Sequence, residues 1–122
     1  MNSLYARSLV AVLSLAGAGS ALAHADLASA DPAADSTVKT VPAAISITFT
    51  EAVEPKFSSI DVVDTKGKRF DDGKAQTAPD NGKRLSVGLK PLAPGTYKVI
   101  WHAMSADDSH MTKGSYEFTV QP

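Results

Sequence analysis

The sequence predicts an all-β domain, a Greek-key sandwich or barrel of about seven short strands. Three observations support this fold class. Apolar and polar residues alternate with a period of two after residue 23, whereas helical periodicity is absent from the same region. Turn-forming residues separate the alternating runs. The result is about seven short strands in roughly 95 residues, a spacing typical of two packed antiparallel sheets.

The strands can be placed in order along the chain. Residues 45–49 alternate Ile and Phe with Ser and Thr, which predicts a half-buried strand. Residues 57–63 predict a second strand, and a turn over 64–67 leads into a short partner strand at 68–70. The polar residues 71–83 predict a solvated loop. Further alternating runs predict the remaining strands at 85–89, 97–103 and 116–120.

A Pro-Gly turn stands immediately before the longest alternating run. Pro94 and Gly95 are followed by Tyr97 at a strand start, an arrangement typical of the tyrosine corner of immunoglobulin-like sandwiches. Tyr97 is therefore predicted to be structural, with its hydroxyl tying down the crossing loop. Trp101 lies on the same face of that strand, so we expect it in the core.

Residues 1–23 are typical of a secretory signal peptide. Arg7 precedes an apolar run from Leu9 to Leu15, and small residues lead to the cleavage-site pattern Ala21-Leu22-Ala23. We therefore expect export through a cleaved signal. Cleavage after Ala23 gives a mature domain of residues 24–122, and Ala18 and Ala21 are alternative cleavage points. That length corresponds to one domain.

Composition limits the partners and metal ligands that the chain is expected to have. The expected mature chain has 11 Lys and Arg against 13 Asp and Glu, a net charge of −2 that favours neither nucleic acid nor an anionic membrane surface. It has no apolar run near the ~20 residues that span a bilayer, so we expect a soluble protein, and a monomer. The chain has no cysteine. Any bound metal is therefore expected to have nitrogen and oxygen ligands, with methionine sulfur a minor possibility.

The three histidines, His24, His102 and His110, are the strongest candidates for chemistry. Cleavage after Ala23 would give His24 a free α-amino group beside its imidazole, and the two can chelate one metal ion. Asp108 precedes His110 by two residues, so in an extended segment both side chains project to the same side. His102 follows Trp101 and is expected on the outer face of its strand, as a surface residue or an accessory ligand.

This ligand set favours copper. The amine and ring nitrogen of His24, with His110 opposite, would place three nitrogens in a plane, which suits tetragonal Cu(II). Asp108 or water would fill the remaining positions. Cu(II) also stands above zinc in the affinity order for the same ligands, and zinc prefers closed tetrahedral sites.

Four segments give the chain a specific resemblance to a known family. The mature start His24–Leu27 resembles the opening of CopC-type periplasmic copper-binding proteins. Further matches are spread along the remaining chain, at Ile47–Glu54, Leu92–Trp101 and Asp108–Val120. The resemblance implies an immunoglobulin-like fold with one Cu(II) per chain, bound by His24, Asp108 and His110. It also implies that Glu51 lies close to the site, and that a CopD-like membrane protein exchanges copper with this one.

The chain departs from the family pattern in two places. Some members carry a methionine-rich loop that binds Cu(I), but residues 71–83 contain no methionine. After the signal only Met104 and Met111 remain, which predicts a Cu(II)-only protein without a thioether cluster. The stretch before Asp-x-His is one residue longer than usual. Asp107 and Asp108 are therefore both candidates to face the metal, and the spacing to His110 favours Asp108.

The leading hypothesis is a periplasmic Cu(II)-binding protein, not an enzyme, that serves copper sequestration, resistance or trafficking. A histidine at the N-terminus is also the copper site of lytic polysaccharide monooxygenases, so a copper-dependent oxidase is the alternative. Asp108 would occupy the coordination space that oxygen needs, which argues against it. The third hypothesis is a metal-free immunoglobulin-like interaction module.

Overall fold

A computed structural model describes residues 24–122, so the expected signal segment 1–23 lies outside the described residues. Eight strands form two four-stranded sheets, and one turn of 3-10 helix, Pro55–Phe57, joins β3 to β4. The all-β prediction is confirmed. The strands are β1 (Leu27–Asp31), β2 (Thr37–Val38), β3 (Ala44–Phe49), β4 (Ser59–Val63), β5 (Gln76–Ala78), β6 (Asn81–Gly88), β7 (Gly95–Met104) and β8 (Met111–Val120).

The strands of one sheet are ordered β1-β3-β6-β5, and those of the other β2-β8-β7-β4. All pairs are antiparallel except β2 with β8, which is parallel. The chain changes sheet at each connection from β1 to β5. These crossovers join the two sheets into one sandwich. No helix within residues 24–122 has the length and apolar character needed to cross a membrane.

The core lies between the inner faces of the two sheets. Along β7 every second residue is buried, from Tyr97 to Ala103, as the period-two pattern predicts. Trp101 packs edge-on against Phe49 across the sandwich, with ring centroids 5.2 Å apart. The tyrosine corner is also present, because the Tyr97 hydroxyl donates to the Ala93 carbonyl at 2.6 Å. Both expectations, a structural Tyr97 and a buried Trp101, are confirmed.

Several element boundaries differ from the sequence prediction. The strands β1 and β2 were not predicted, because the residues that form them are mostly small, polar or exposed. Phe57 lies in the 3-10 turn instead of a strand, and the residue is 61% exposed. Residues 68–70 pair with β4 only through a single bridge at Arg69. The segment 71–83 is also not one solvated loop, since it contains β5 and the start of β6.

One carboxylate inside that segment organises the connection between the sheets. Asp71 is 4% exposed and accepts hydrogen bonds from the Val62 backbone N–H at 2.8 Å and the Gly73 N–H at 3.1 Å. The Arg69 guanidinium binds it at 2.6 Å. Burial raises the pKa of Asp71, but the Arg69 and backbone hydrogen bonds outweigh burial and hold that pKa below its usual value. The ionised carboxylate is therefore the form that the fold stabilises.

We expect Asp71→Asn to lower the free energy of unfolding at pH 7 by about 1–3 kcal/mol, because a buried charged hydrogen-bond network is broken. A depressed folded pKa contributes stability above the unfolded value of about 3.9, and that stability is lost as pH falls through the folded pKa. The wild type should therefore lose more stability than Asp71→Asn between pH 5 and pH 2. Urea unfolding at several pH values measures the difference.

The exposed neighbour Asp72 provides the control. Asp72→Asn keeps the side-chain oxygen that accepts from the Lys74 backbone N–H, so its unfolding curve should follow the wild type. Equal stability of the Asp71 and Asp72 variants at pH 7 would contradict the structural role of Asp71.

A second prediction concerns Gly114, which lies opposite Trp101 on β8. A Cβ at this position would lie 2.6 Å from Trp101 Cζ2, in a place that the buried indole occupies. We expect Gly114→Ala to cost about 1–3 kcal/mol through overpacking. Gly82→Ala is the control, because its Cβ would meet only Ala52 Cβ at 3.6 Å. Denaturation followed by the fluorescence of the single tryptophan compares them, and equal midpoints would refute the overpacking.

Candidate metal centre

The segment that follows residue 23 is anchored to the sandwich at two points. Ala25 is fully buried in the core. The Thr50 hydroxyl donates to the His24 carbonyl at 2.8 Å and accepts from the Asp26 backbone N–H at 3.0 Å. The Thr112 hydroxyl donates to the Ala25 carbonyl at 2.6 Å. Hydrogen bonds from both sheets therefore fix the main chain on either side of the His24–Ala25 bond.

The β7–β8 turn, residues 105–110, carries the second part of the site. The Ser105 backbone N–H donates to the His110 carbonyl at 2.9 Å, and the Ser109 N–H donates to the Ser105 carbonyl at 3.0 Å. Ser109 has φ 59°, so the segment from Asp108 to His110 is turned and not extended. The expectation that both side chains project in parallel from an extended segment is therefore wrong.

The turn brings Asp108 and His110 together by another contact. One oxygen of Asp108 accepts from the His110 backbone N–H at 3.0 Å. This hydrogen bond lowers the pKa of the Asp108 carboxyl below its usual value, and the nearby Ser105 hydroxyl acts in the same direction. Asp108 is consequently an exposed, ionised carboxylate in the β7–β8 turn.

The imidazoles of His24 and His110 lie face to face. Their ring centroids are 4.0 Å apart, with an angle of 3° between the ring planes. Imidazole nitrogens donate their lone pairs in the plane of the ring, so two parallel stacked rings cannot both point at one ion. Within residues 24–122, the structure contains no group of three His, Cys, Asp or Glu side chains arranged to hold a metal. The two rings are neighbours, but one must rotate before both can bind the same metal.

The other candidate residues occupy different positions. Glu51 directly follows Thr50 and is half-buried beside the anchored N-terminal segment. Asp107 is exposed in the turn, and Asp108 is the residue whose carboxylate contacts His110. His102 is paired with Lys113 on β8, away from the inner face that holds Trp101.

Sequence reasoning did not identify Thr50 and Thr112. A single threonine at the end of a strand carries no distinctive signal, because such residues are common on half-buried strands. Their role depends on the distances between segments that lie 26 and 87 residues apart in the chain. Only the paired sheets reveal that both hydroxyls converge on the residues after the expected cleavage point.

Comparison with known proteins now identifies the family. A family model described as the CopC domain matches residues 27–121. The chain belongs to the CopC family. It is 37% identical over 122 residues to the copper resistance protein C of Xanthomonas campestris pv. juglandis, an alignment that covers 95% of this chain and 94% of that one. It is 40% identical over 100 residues to protein YobA of Escherichia coli K12, which covers 81% and 80% respectively.

A solved structure of this CopC family shares the fold. The crystal structure of CopC from Methylosinus trichosporium OB3b superimposes with a TM-score of 0.76 at 35% identity, and the match covers 81% of this chain and 95% of that one. The family consists of copper resistance proteins and not of enzymes. The resemblance given by the sequence motifs and the interpretation as a non-enzyme are therefore confirmed.

Proposed function

We propose that this protein binds one Cu(II) ion per chain in the periplasm, and that His24, His110 and Asp108 are its protein ligands. Signal cleavage after Ala23 would make His24 the N-terminal residue, which supplies an α-amine and an imidazole to the same ion. In the uncleaved chain that nitrogen is a peptide nitrogen, so the chelate does not exist. Removal of the signal is therefore the step that completes the site.

The observation that carries this proposal is the 4.0 Å approach of the His24 and His110 rings at the end of an anchored main chain. Buried Ala25 and the hydroxyls of Thr50 and Thr112 hold the backbone of His24 in place. A chelating terminus gains affinity when it is preorganised, because less conformational freedom is lost on binding.

The two side chains of the turn have different roles in the proposed site. His110 is exposed, and rotation of its ring would direct a nitrogen toward the ion that His24 chelates. Asp108 supplies an ionised oxygen, since the pKa of its carboxyl is lowered by the His110 backbone N–H. Three nitrogens and one oxygen in this arrangement match the tetragonal preference of Cu(II). Glu51, beside Thr50, would contact these ligands indirectly.

We further propose that the bound copper is sequestered or passed on outside the cytoplasm. The relatives named copper resistance protein C support a role in copper resistance. A membrane copper-handling protein of the CopD type is the proposed partner in transfer. The site fits this role because it lies at one end of the sandwich, on exposed residues of a turn, where a partner can reach the ion.

The first test concerns the terminal amine. Exported protein should begin at His24 by mass analysis and bind one Cu(II) with nitrogen-dominated spin-resonance parameters. A chain that begins at Ala23 should bind Cu(II) at least about tenfold more weakly, or ~1.4 kcal/mol. In that chain the backbone nitrogen of His24 is a peptide nitrogen, so His24 no longer offers an amine and an imidazole to the same ion. Competition titration against a chromophoric chelator measures both affinities. Equal affinity of the two chains would overturn the terminal chelate.

A second prediction concerns the threonine anchor. Thr112→Val keeps the side-chain shape but removes the hydrogen bond to the Ala25 carbonyl, a contact worth about 1 kcal/mol. We expect Cu(II) to bind roughly three- to tenfold more weakly, because the terminus becomes less ordered. The combined variant Thr50→Val and Thr112→Val should bind still more weakly.

Thr119 offers a matched control on the same strand. Its hydroxyl bonds that of Thr96 at 3.1 Å, at the end of β8 remote from the β7–β8 turn. Thr119→Val should lower stability by a similar amount and leave Cu(II) affinity unchanged. If Thr112→Val and Thr119→Val alter Cu(II) binding equally, the anchor has no specific part in the site.

A further inference from the structure

The outer face of the β7–β8 hairpin carries both methionines of the domain. Met104 and Met111 are directly paired, as the last register pair before the turn. Val99, Trp101 and Ala103 are buried on the inner face of β7, so Met104 belongs to the alternate, outward-facing set. Met111 is 45% exposed. Directly opposed residues have Cβ atoms about 4.5–5.5 Å apart, and two flexible thioethers at that separation can reach a common point.

His102 lies on the same outer face. It precedes Met104 by two residues on β7, and residues i and i+2 of a strand line one face. Its register partners are Lys113 on β8 and Ser59 on β4, and it is half-buried between them. The two thioethers and the imidazole therefore occupy neighbouring positions on the outer face of the hairpin, at residues 102, 104 and 111.

We propose that Met104, Met111 and His102 form a second metal site, one that takes a soft monovalent cation such as Cu(I). Thioether sulfur is a soft ligand that selects Cu(I) over hard ions, and imidazole is compatible with it. The ammonium group of Lys113, opposite His102, repels any cation here. That repulsion is twice as large for a divalent ion as for a monovalent one, so it adds to the preference for a single charge.

This site shares no ligand with the one proposed for Cu(II). Met111 directly follows His110, but the two residues belong to different parts of the hairpin. His110 ends the turn and stacks on His24, whereas Met111 begins the strand and pairs with Met104. The segment 71–83 contributes nothing to it. The methionine count predicted no thioether cluster, yet the hairpin register places the only two methionines of the domain opposite each other.

Ag(I), a redox-inert soft monovalent ion, provides the direct test. Residues 24–122 contain all eight strands and only two methionines, so exported protein labelled at the methionine methyl carbon gives two signals. We expect both signals to shift together and to saturate at one equivalent of Ag(I). Shifts of one signal alone, or no saturation by several equivalents, would overturn the site.

Variants then test each ligand with Cu(I) under anaerobic conditions, by competition with a Cu(I) chelator. Met104→Leu, Met111→Leu and His102→Gln should each weaken Cu(I) binding at least about tenfold, and Leu is close in volume to Met, so the fold should be retained. Thermal unfolding of each variant checks that retention. Unchanged Cu(I) affinity in a folded Met111→Leu variant would refute the proposal.

The two proposed sites can fail independently. The chain that begins at Ala23 should keep its Ag(I) shifts while its Cu(II) affinity falls, and Met111→Leu should show the reverse. If His24 turns out not to bind copper, the methyl shifts still decide the methionine site. Loss of Ag(I) binding in the chain beginning at Ala23 would mean that the soft ion binds at the terminus, which contradicts a separate site.

Discussion

Strands β7 and β8 pair along ten consecutive positions, from Gly95 with Val120 to Met104 with Met111. Trp101 of this hairpin contributes its buried indole to the core. At the edge of the hairpin, β8 pairs in parallel with β2. Its turn carries Asp108 and His110. A slip of one residue in this register would exchange the inner and outer faces, so the core and both proposed metal sites depend on it together.

The N-terminal segment gains its position from this hairpin and from the opposite sheet. Thr112 on β8 and Thr50 after β3 each bond a main-chain carbonyl near His24. Buried Ala25 adds an apolar contact that keeps the segment between the sheets. A chain terminus is usually mobile unless it is tied down. Here the ties fall beside the residue that the proposed cleavage would make terminal, which gives the anchoring a functional reason.

Sequence periodicity predicted the central strands correctly but did not predict the edge strands β1 and β2. Runs such as Ile45–Phe49 and Tyr97–Ala103 are buried on one face, so hydrophobicity alternates along them. The strands β1 and β2 are short edge strands whose residues face solvent or are small, and edge pairing leaves little trace in composition. The composition of residues 71–83, rich in Asp, Gly and Lys, predicts a solvated loop. Asp71 is nevertheless buried, because the Arg69 and backbone hydrogen bonds compensate its charge.

The sequence by itself determined the all-β class, the tyrosine corner, the family motifs and the identity of the candidate ligands. These features depend on local patterns, namely period-two alternation, turn residues and the order of short motifs. The tertiary structure decided which of them meet. In the folded domain the His24 ring stacks on that of His110, the segment from Asp108 to His110 forms a turn, and Met104 pairs with Met111. Contacts between residues far apart in the chain depend on strand register, and register is fixed only when the two sheets bury a common core.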